Sequence, residues 1–350
     1  MSECTTAVIG CDLGDKQSTL CILRADGRVE RPKPIKTVGE AFRTFFLARP
    51  PAHVVIEVGA HSRWVSVLLE ELGHRVTVAN ARRVKLISQN DSKSDQVDAE
   101  LLARLGKADV ELLAPIHHRG MEAQADLAVP KARDALVGCR TKLINTCRGL
   151  VKSFGERLPQ CSGESFHRQA REYVPAALKP ALEPVFQTLE RIDEAIRKED
   201  KLVARLAKKY PDVEVIAQPN GVGILTALVF LLTLEDKNRF KSSRQVGGFV
   251  GLRPRKNQSG EDDPQLRITK AGDPFLRRLL VQCANYMLGP FGRDSDLRRW
   301  GLELARRGGK NARKRACVAV ARKTGVLMHR LWVTGEVYEP LGYGAKRLAA

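Results

Sequence analysis

Aromatic residues make up only 5% of this 350-residue chain, and methionine occurs four times. Ring stacking is therefore not the evident mode of recognition for whatever the chain binds. None of the eight cysteines (4, 11, 21, 139, 147, 161, 283 and 317) forms a CxxC pair or sits in a Cys/His cluster. That argues against a zinc site and for reduced thiols packed as small hydrophobes. Long apolar runs are missing too. The longest, Val222 to Leu234, has 13 residues and two threonines, too short to span a bilayer. No basic segment precedes the apolar stretch of MSECTTAVIGCDLG, so no signal peptide is read, and a cytoplasmic protein with no membrane partner is expected. At 43% apolar and 28% charged residues, the chain has enough apolar material to fold, and its length suits two or three domains.

What is abundant is positive charge, 59 Lys and Arg against 40 Asp and Glu, and it is unevenly spread. Residues 1–125 carry 17 basic and 16 acidic side chains, whereas residues 236–350 carry 25 and 10. A field of one sign this dense repels itself unless a polyanion is the partner. Nucleic acid, held mainly by phosphate neutralisation, is the expectation. Candidate contacts are Arg253, Arg255, Lys256, Lys270, Arg277, Arg278, Arg313, Lys314 and Arg315.

The first 110 residues alternate strand and helix signals. AVIGCDLG (7–14) and QSTLCILR (17–24) read as strands, and Ala25-Asp26-Gly27 turns the chain into a third strand around 28–36. Segments 39–49, 61–73 and 98–106 read as helices, with strands at 53–59 and 75–80 between them. Strands in hairpin order followed by alternating helix and strand indicate an α/β mixed sheet of ribonuclease-H-like type. From Met121 to about Tyr210 no strand signal appears. Segments 131–155 and 181–210 have helical periodicity, with Val185, Leu189, Ile192, Ile196 and Leu202 as an apolar stripe. They suit either a coiled coil with a partner helix or an intramolecular helical hairpin. The last region opens on Pro219-Asn220-Gly221-Val222-Gly223 before an apolar helix. That turn is either a seat for phosphate or a site of close helix packing. Three domains are expected, at 1–118, 119–212 and 213–350.

Asp12 lies inside an apolar strand and Glu57 at the end of another. Carboxylates so placed are costly to desolvate without a cation or strong donors. Asp95 and Asp98 share one helix face, one turn apart. If the helix packs over the ends of the two strands, four carboxylates converge, the donor set for Mg²⁺ and for in-line phosphoryl transfer. Each acid also has a structural explanation. Asp12 suits a turn, Glu57 a pair with Arg63, and Ser92-x-x-Asp95 a helix capping box. Ser259, in GLRPRKNQSG, follows Arg253, Arg255 and Lys256 on a loop where a serine is ordinarily a turn residue.

Taken together these stretches resemble the DEDD-type serine recombinases, or transposases, of the insertion-sequence one-ten family, and the likeness covers nearly the whole chain. IGCDLG, VVIEVG and KSDQVDAELLA match the family's RuvC-like domain. RDALVGCRTKLINTCRGLVKSFG matches its connecting helix. GVGILTAL, RFKSSRQVGGFVGLRPRKNQSG, ITKAGDPFLRRLL and RACVAVARKTGVLMHRLW match its mainly α transposase domain. The resemblance implies Asp12, Glu57, Asp95 and Asp98 as catalytic, Mg²⁺-binding acids and Ser259 as nucleophile. It further implies a covalent phosphoserine link to DNA, and a structured bridge RNA that selects target and donor duplexes. A composite site in a homodimer that pairs into a tetramer is implied as well. Two departures stand out. Pro130 should start or kink a helix that is normally uninterrupted, and the Pro-Gly-Val-Gly turn carries an extra Asn220. The alternatives are a structure-specific, Mg²⁺-dependent nuclease of Holliday-junction type and a non-catalytic nucleic-acid-binding protein.

Overall fold

The structure is a computed structural model describing residues 7–87, 94–264 and 266–342. It divides after His118 into two compact units.

In the first unit, β1 (Val8–Leu13) pairs antiparallel with β2 (Gln17–Leu23). The turn after β2 closes with Gly27 at φ +88°, its N–H bonded to the Arg24 carbonyl at 3.0 Å. The single strand expected at 28–36 is two short ones, β3 (Val29–Glu30) and β4 (Ile35–Lys36), both paired with β2. Pro32 and Pro34 lie between them and have no N–H to donate to a ladder, which accounts for the interruption. Helix α1 (Gly39–Leu47) leads to β5 (His53–Glu57), parallel to β1. Helix α2 (Ser62–Glu71) leads to β6 (Arg75–Ala79), parallel to β5. Helices α3 (Ala81–Ile87) and α4 (Asp95–Ala108) follow. The strand order is β3-β2-β1-β5-β6.

Both faces of this sheet are covered, as its apolar central strands require. On one face Ile9, Cys11, Val54 and Ile56 pack with Phe42, Phe46, Val65 and Leu69 of α1 and α2. On the other, Val8, Val55 and Leu23 pack with Ala99, Leu102 and Ala103 of α4. Helix α4 lies unusually close to β1. A Cβ on Gly10 would fall 1.9 Å from the Ala99 carbonyl oxygen, and one on Gly106 would fall 2.4 Å from Val55 Cγ2.

The second unit is helical. Helix α5 (Met121–Ser153) begins ten residues before the segment expected from periodicity and runs through Pro130, so the expectation that the helix starts there is corrected. Pro130 is buried, and the packing around it outweighs the lost hydrogen bond. After the short α6 (Phe166–Gln169), α7 (Lys179–Lys208) packs back on α5 of the same chain. Its buried stripe is Leu182, Phe186, Leu189, Asp193, Ile196 and Val203. Leu202, expected to be inside, is exposed. Asp193, 4% exposed in the middle of that stripe, accepts from Arg140 Nη1 at 2.7 Å and sits 3.0 Å from His167 Nδ1. The acid thus fastens α5, α6 and α7 with one carboxylate.

Helix α8 (Asp212–Ile216) precedes α9 (Ile224–Leu234), apolar all round and buried from Thr226 onward at the centre of the unit. Helices α10 (Arg244–Phe249), α11 (Pro274–Leu288), α12 (Asp296–Arg306) and α13 (Ala312–Thr334) complete it. In the turn before α9, Gly221 has φ +86°, and a Cβ there would meet the Tyr286 ring at 3.0 Å and the Cys283 carbonyl at 3.3 Å. Close packing therefore accounts for that glycine. Every described cysteine is free, and Cys11, Cys21, Cys147, Cys283 and Cys317 are buried, their thiol pKa values raised chiefly by burial. Among the described residues no helix is long and apolar enough to cross a membrane.

Two stability predictions follow from these contacts. Gly10→Ala drives a methyl group into helix backbone and should lower unfolding free energy by about 3 kcal/mol or more. Gly39→Ala, which meets open space, should be neutral in the same denaturant titration, and an unchanged midpoint for Gly10→Ala would refute the close approach. Asp193→Ala leaves the buried His167 and the partly buried Arg140 without their shared carboxylate and should cost about 3 kcal/mol, read as a fall in thermal midpoint.

Candidate functional site

Asp12 is the penultimate residue of β1 and Glu57 the last of β5. These strands are parallel with Cys11 beside Ile56, so Asp12 and Glu57 occupy the next register position. Side chains alternate along a strand. Gly10 and Val55 face α4, and so therefore do Asp12 and Glu57. Helix α4 meets Gly10 with Ala99 and meets Val8 with Gly106, so it runs antiparallel to β1. Its N-terminus then lies over the carboxyl ends of the strands. Asp95 and Asp98, four residues before the inward-facing Ala99 and Leu102, belong to that end and that side of the helix.

Register and helix direction thus bring all four acids to one edge of one sheet face. Asp12, Glu57 and Asp98 are half-buried, and Asp95 is exposed. Carboxylate oxygens are hard donors of the kind Mg²⁺ takes, so the residue types suit such an ion. As placed, no group of three or more His, Cys, Asp or Glu side chains among the described residues stands close enough to hold one. The helix end has its own use for acids. The α4 cap is Ser94, whose Oγ accepts from the Val97 N–H at 3.3 Å, and Asp95 and Asp98 lie in the first turn, where the helix dipole favours negative charge. Ser92, the residue first considered for that cap, lies outside the described residues.

Two residues at this edge were not singled out from the sequence. His61, after β5, accepts at Nδ1 from Trp64 Nε1 at 3.1 Å, and its Nε2 faces Asp15, after β1, at 3.7 Å. With Nδ1 accepting, the neutral ring carries its proton on Nε2. Nothing local marks His61, which falls inside a helix-like stretch. Only strand order brings it near Asp15.

In the second unit, residues 253–264 and 266–269 form the described parts of an antiparallel excursion between α10 and α11. Arg255 N–H donates to Arg267 O and Thr269 N–H to Arg253 O, both at 2.9 Å, and Pro254 bridges Ile268. At its tip Ser259 and Asp262 exchange backbone hydrogen bonds of 3.1 Å around Gly260 at φ +58°. Ser259 is exposed at the rim of a depression of about 500 Å³ that it shares with Asn257, Asp262, Asp263 and Pro264. The base of the excursion is pinched. Gly251 and Gly272 have φ +73° and +69°, and a Cβ on either would fall about 2 Å from backbone oxygen.

The cations divide by role. Arg277 Nη1 donates to Val250 O at 3.1 Å and Ala271 O at 2.7 Å, which secures the base of the serine excursion. Arg278 pairs with Asp134 at 2.5 Å. Lys270 is exposed in left-handed conformation, φ +54°. Arg253, Arg255 and Lys256 are exposed along the outgoing arm. Arg313, Lys314 and Arg315 are exposed in the first turn of α13, where the positive helix end adds to their charge.

Comparison with known proteins finds matches in both units. A family model described as a DEDD transposase of the IS110 type matches residues 9–155, which contain the four acids. A second, described as the transposase IS116/IS110/IS902 family, matches residues 213–295, which contain Ser259. The chain is 28% identical over 339 residues to the transposase for insertion sequence element IS1111A of Coxiella burnetii, covering 95% of this chain and 91% of that protein. It is also 28% identical over 286 residues to the transposase for insertion sequence element IS1328 of Yersinia enterocolitica, covering 79% and 82%. With one model on the acid-bearing sheet and another on the serine-bearing helical unit, the chain belongs to the IS110 family of insertion-sequence transposases.

Proposed function

We propose that this transposase cuts and rejoins DNA through a covalent serine intermediate, with Asp12, Glu57, Asp95 and Asp98 holding Mg²⁺ and Ser259 as nucleophile. The observation that carries the reading is the placement of the four acids, from three separate elements, at one edge of one sheet face. A divalent ion held there would draw charge from a phosphodiester oxygen. The serine oxygen forms a bond to phosphorus while the bond from phosphorus to the 3′ oxygen breaks. The hydroxyl proton is balanced by the proton the 3′ oxygen takes up. One DNA end is left as a phosphoserine ester and the other as a free 3′-hydroxyl, so rejoining needs no nucleotide triphosphate.

Exposure of Ser259 at a tight turn suits an oxygen that must reach a bulky duplex. The exposed cations supply phosphate contacts without base-edge reading. Guidance by a structured RNA, which the family resemblance suggests, fits a protein that grips backbone and leaves sequence choice to base pairing. Assembly into dimers and tetramers, with acids and serine contributed by different protomers, belongs to the same proposal.

The test is a denaturing gel. The full chain is incubated with Mg²⁺, end-labelled DNA carrying the element's termini, and RNA transcribed from the sequence flanking the gene. A labelled protein–DNA adduct is expected, absent in Ser259→Ala and in Asp12→Asn, while Asp12→Asn retains nucleic-acid binding. Cleavage that persists in Ser259→Ala would replace the serine mechanism with hydrolysis by water. For the basic surface, neutralising Arg313, Lys314 and Arg315 together should reduce the slope of log affinity against log salt by up to about 3 units. An unchanged slope places the nucleic acid on another face.

A further inference from the structure

The helical unit has a second concavity that neither the acids nor Ser259 uses. It is a cavity of about 850 Å³ between the segment leading into α10, the first turns of α12 and the middle of α13, with Tyr338 on one wall. This is the size range of sites for small organic ligands. Its lining combines two rings, Trp300 and Tyr338, with three cations, Arg244, Lys323 and Arg330. The two aromatic residues, distant in the sequence, line this one cavity.

The polar groups are unequally occupied. Arg330 pairs with Glu336 at 2.7 Å, and the lone carboxylate of the lining, Asp296, accepts from the Gly342 N–H at 3.0 Å. Lys323 Nζ instead lies 3.6 Å from the centroid of the Trp300 ring. Burial and the adjacent Arg322 hold its pKa below the usual lysine range. An ammonium in that setting gains from an incoming anion. The pocket therefore asks for a ligand with a flat apolar ring and a negative group within reach of Arg244 and Lys323. On a unit whose last third is strongly cationic, such a ligand is part of a polyanion.

We propose that this pocket takes one unpaired nucleotide of a bound nucleic acid, its base against Trp300 and Tyr338 and its phosphate at Arg244 and Lys323. The base takes the ring face that the ammonium covers, and the ammonium turns to the phosphate. A base inside a duplex has both faces already stacked, so only a single-stranded or looped-out nucleotide can enter. The proposal rests on the reading that this chain handles nucleic acid, and it is independent of the Ser259 chemistry.

The experiment measures fluorescence anisotropy of the full chain with three labelled probes at one salt concentration: an oligouridylate, an oligothymidylate and a blunt DNA duplex. Trp300→Leu removes the stacking surface and keeps apolar volume. It should weaken binding of at least one single strand on the order of tenfold, the scale of one base–aromatic stack, and leave the duplex unaffected. The RNA and DNA arms show which strand supplies the nucleotide, and a selective loss on either supports the pocket. Trp300→Phe keeps a ring and should retain most of the single-strand affinity, which covers the case in which the leucine variant fails to fold. Equal losses on all three probes, or no change on any single strand, overturn the pocket while the nucleic-acid reading stands. An unmodified chain that binds none of the probes sinks the nucleic-acid reading itself.

Discussion

The contact between α4 and β1 governs the arrangement of the acids. Where most helices pack on a sheet through side chains, here the backbone of Ala99 meets the backbone of Gly10 directly. The absence of a side chain at Gly10 lets the helix axis come close, and the absence of one at Gly106 keeps it close further along. A helix held at both points cannot tilt or slide far. Its first turn is therefore delivered to the carboxyl ends of β1 and β5. The carboxylates ride on this frame: two on parallel strands in adjacent register, two on a capped helix end that tolerates negative charge in its own right. The usual electrostatic penalty of gathering acids is divided between strand ends and a helix dipole.

The helical unit solves a different problem. Helix α9 is apolar on all sides and needs neighbours all round, which α5, α7, α8 and α11 provide. One of these neighbours, α5, continues through Pro130. Within the long hairpin of α5 and α7, Asp193 replaces an apolar residue in the stripe and binds Arg140 and His167. A buried carboxylate with two partners fixes the alignment of the helices more narrowly than another leucine would. The surface of this unit is left to cations, some of which serve the fold. Arg277 closes the base of the serine excursion and Arg278 binds Asp134, whereas Arg313 to Arg315 face solvent at a positive helix end.

Order along the chain made much of this legible. The hairpin strands and the later β–α alternation follow from period-two and helical patterning. Asp12 and Glu57 could be noticed because a charge in an apolar strand breaks that pattern. The start of α4 could be set too late, at residue 98, because Asp95 and Gln96 carry no apolar period and only Ser94 reveals the cap. The stripe of α7 was displaced by one position at Leu202, since charged neighbours on both sides leave the phase of a long helix open. Ser259 carried no local signal beyond its turn, and the family resemblance alone drew attention to it.

The sequence by itself determined the α/β then α order, the acids as anomalies, the reduced cysteines and the cationic last third, because each is written in short-range pattern or composition. Only the tertiary structure decided that α4 runs antiparallel to β1 and so brings Asp95 and Asp98 to the edge that bears Asp12 and Glu57. It alone placed His61 beside Asp15, gave Asp193 its two partners, and assembled Trp300, Lys323, Arg244 and Tyr338 around one cavity. These juxtapositions join residues tens of positions apart. They depend on how closely backbones approach and in which direction helices run, quantities that no local window of side chains encodes.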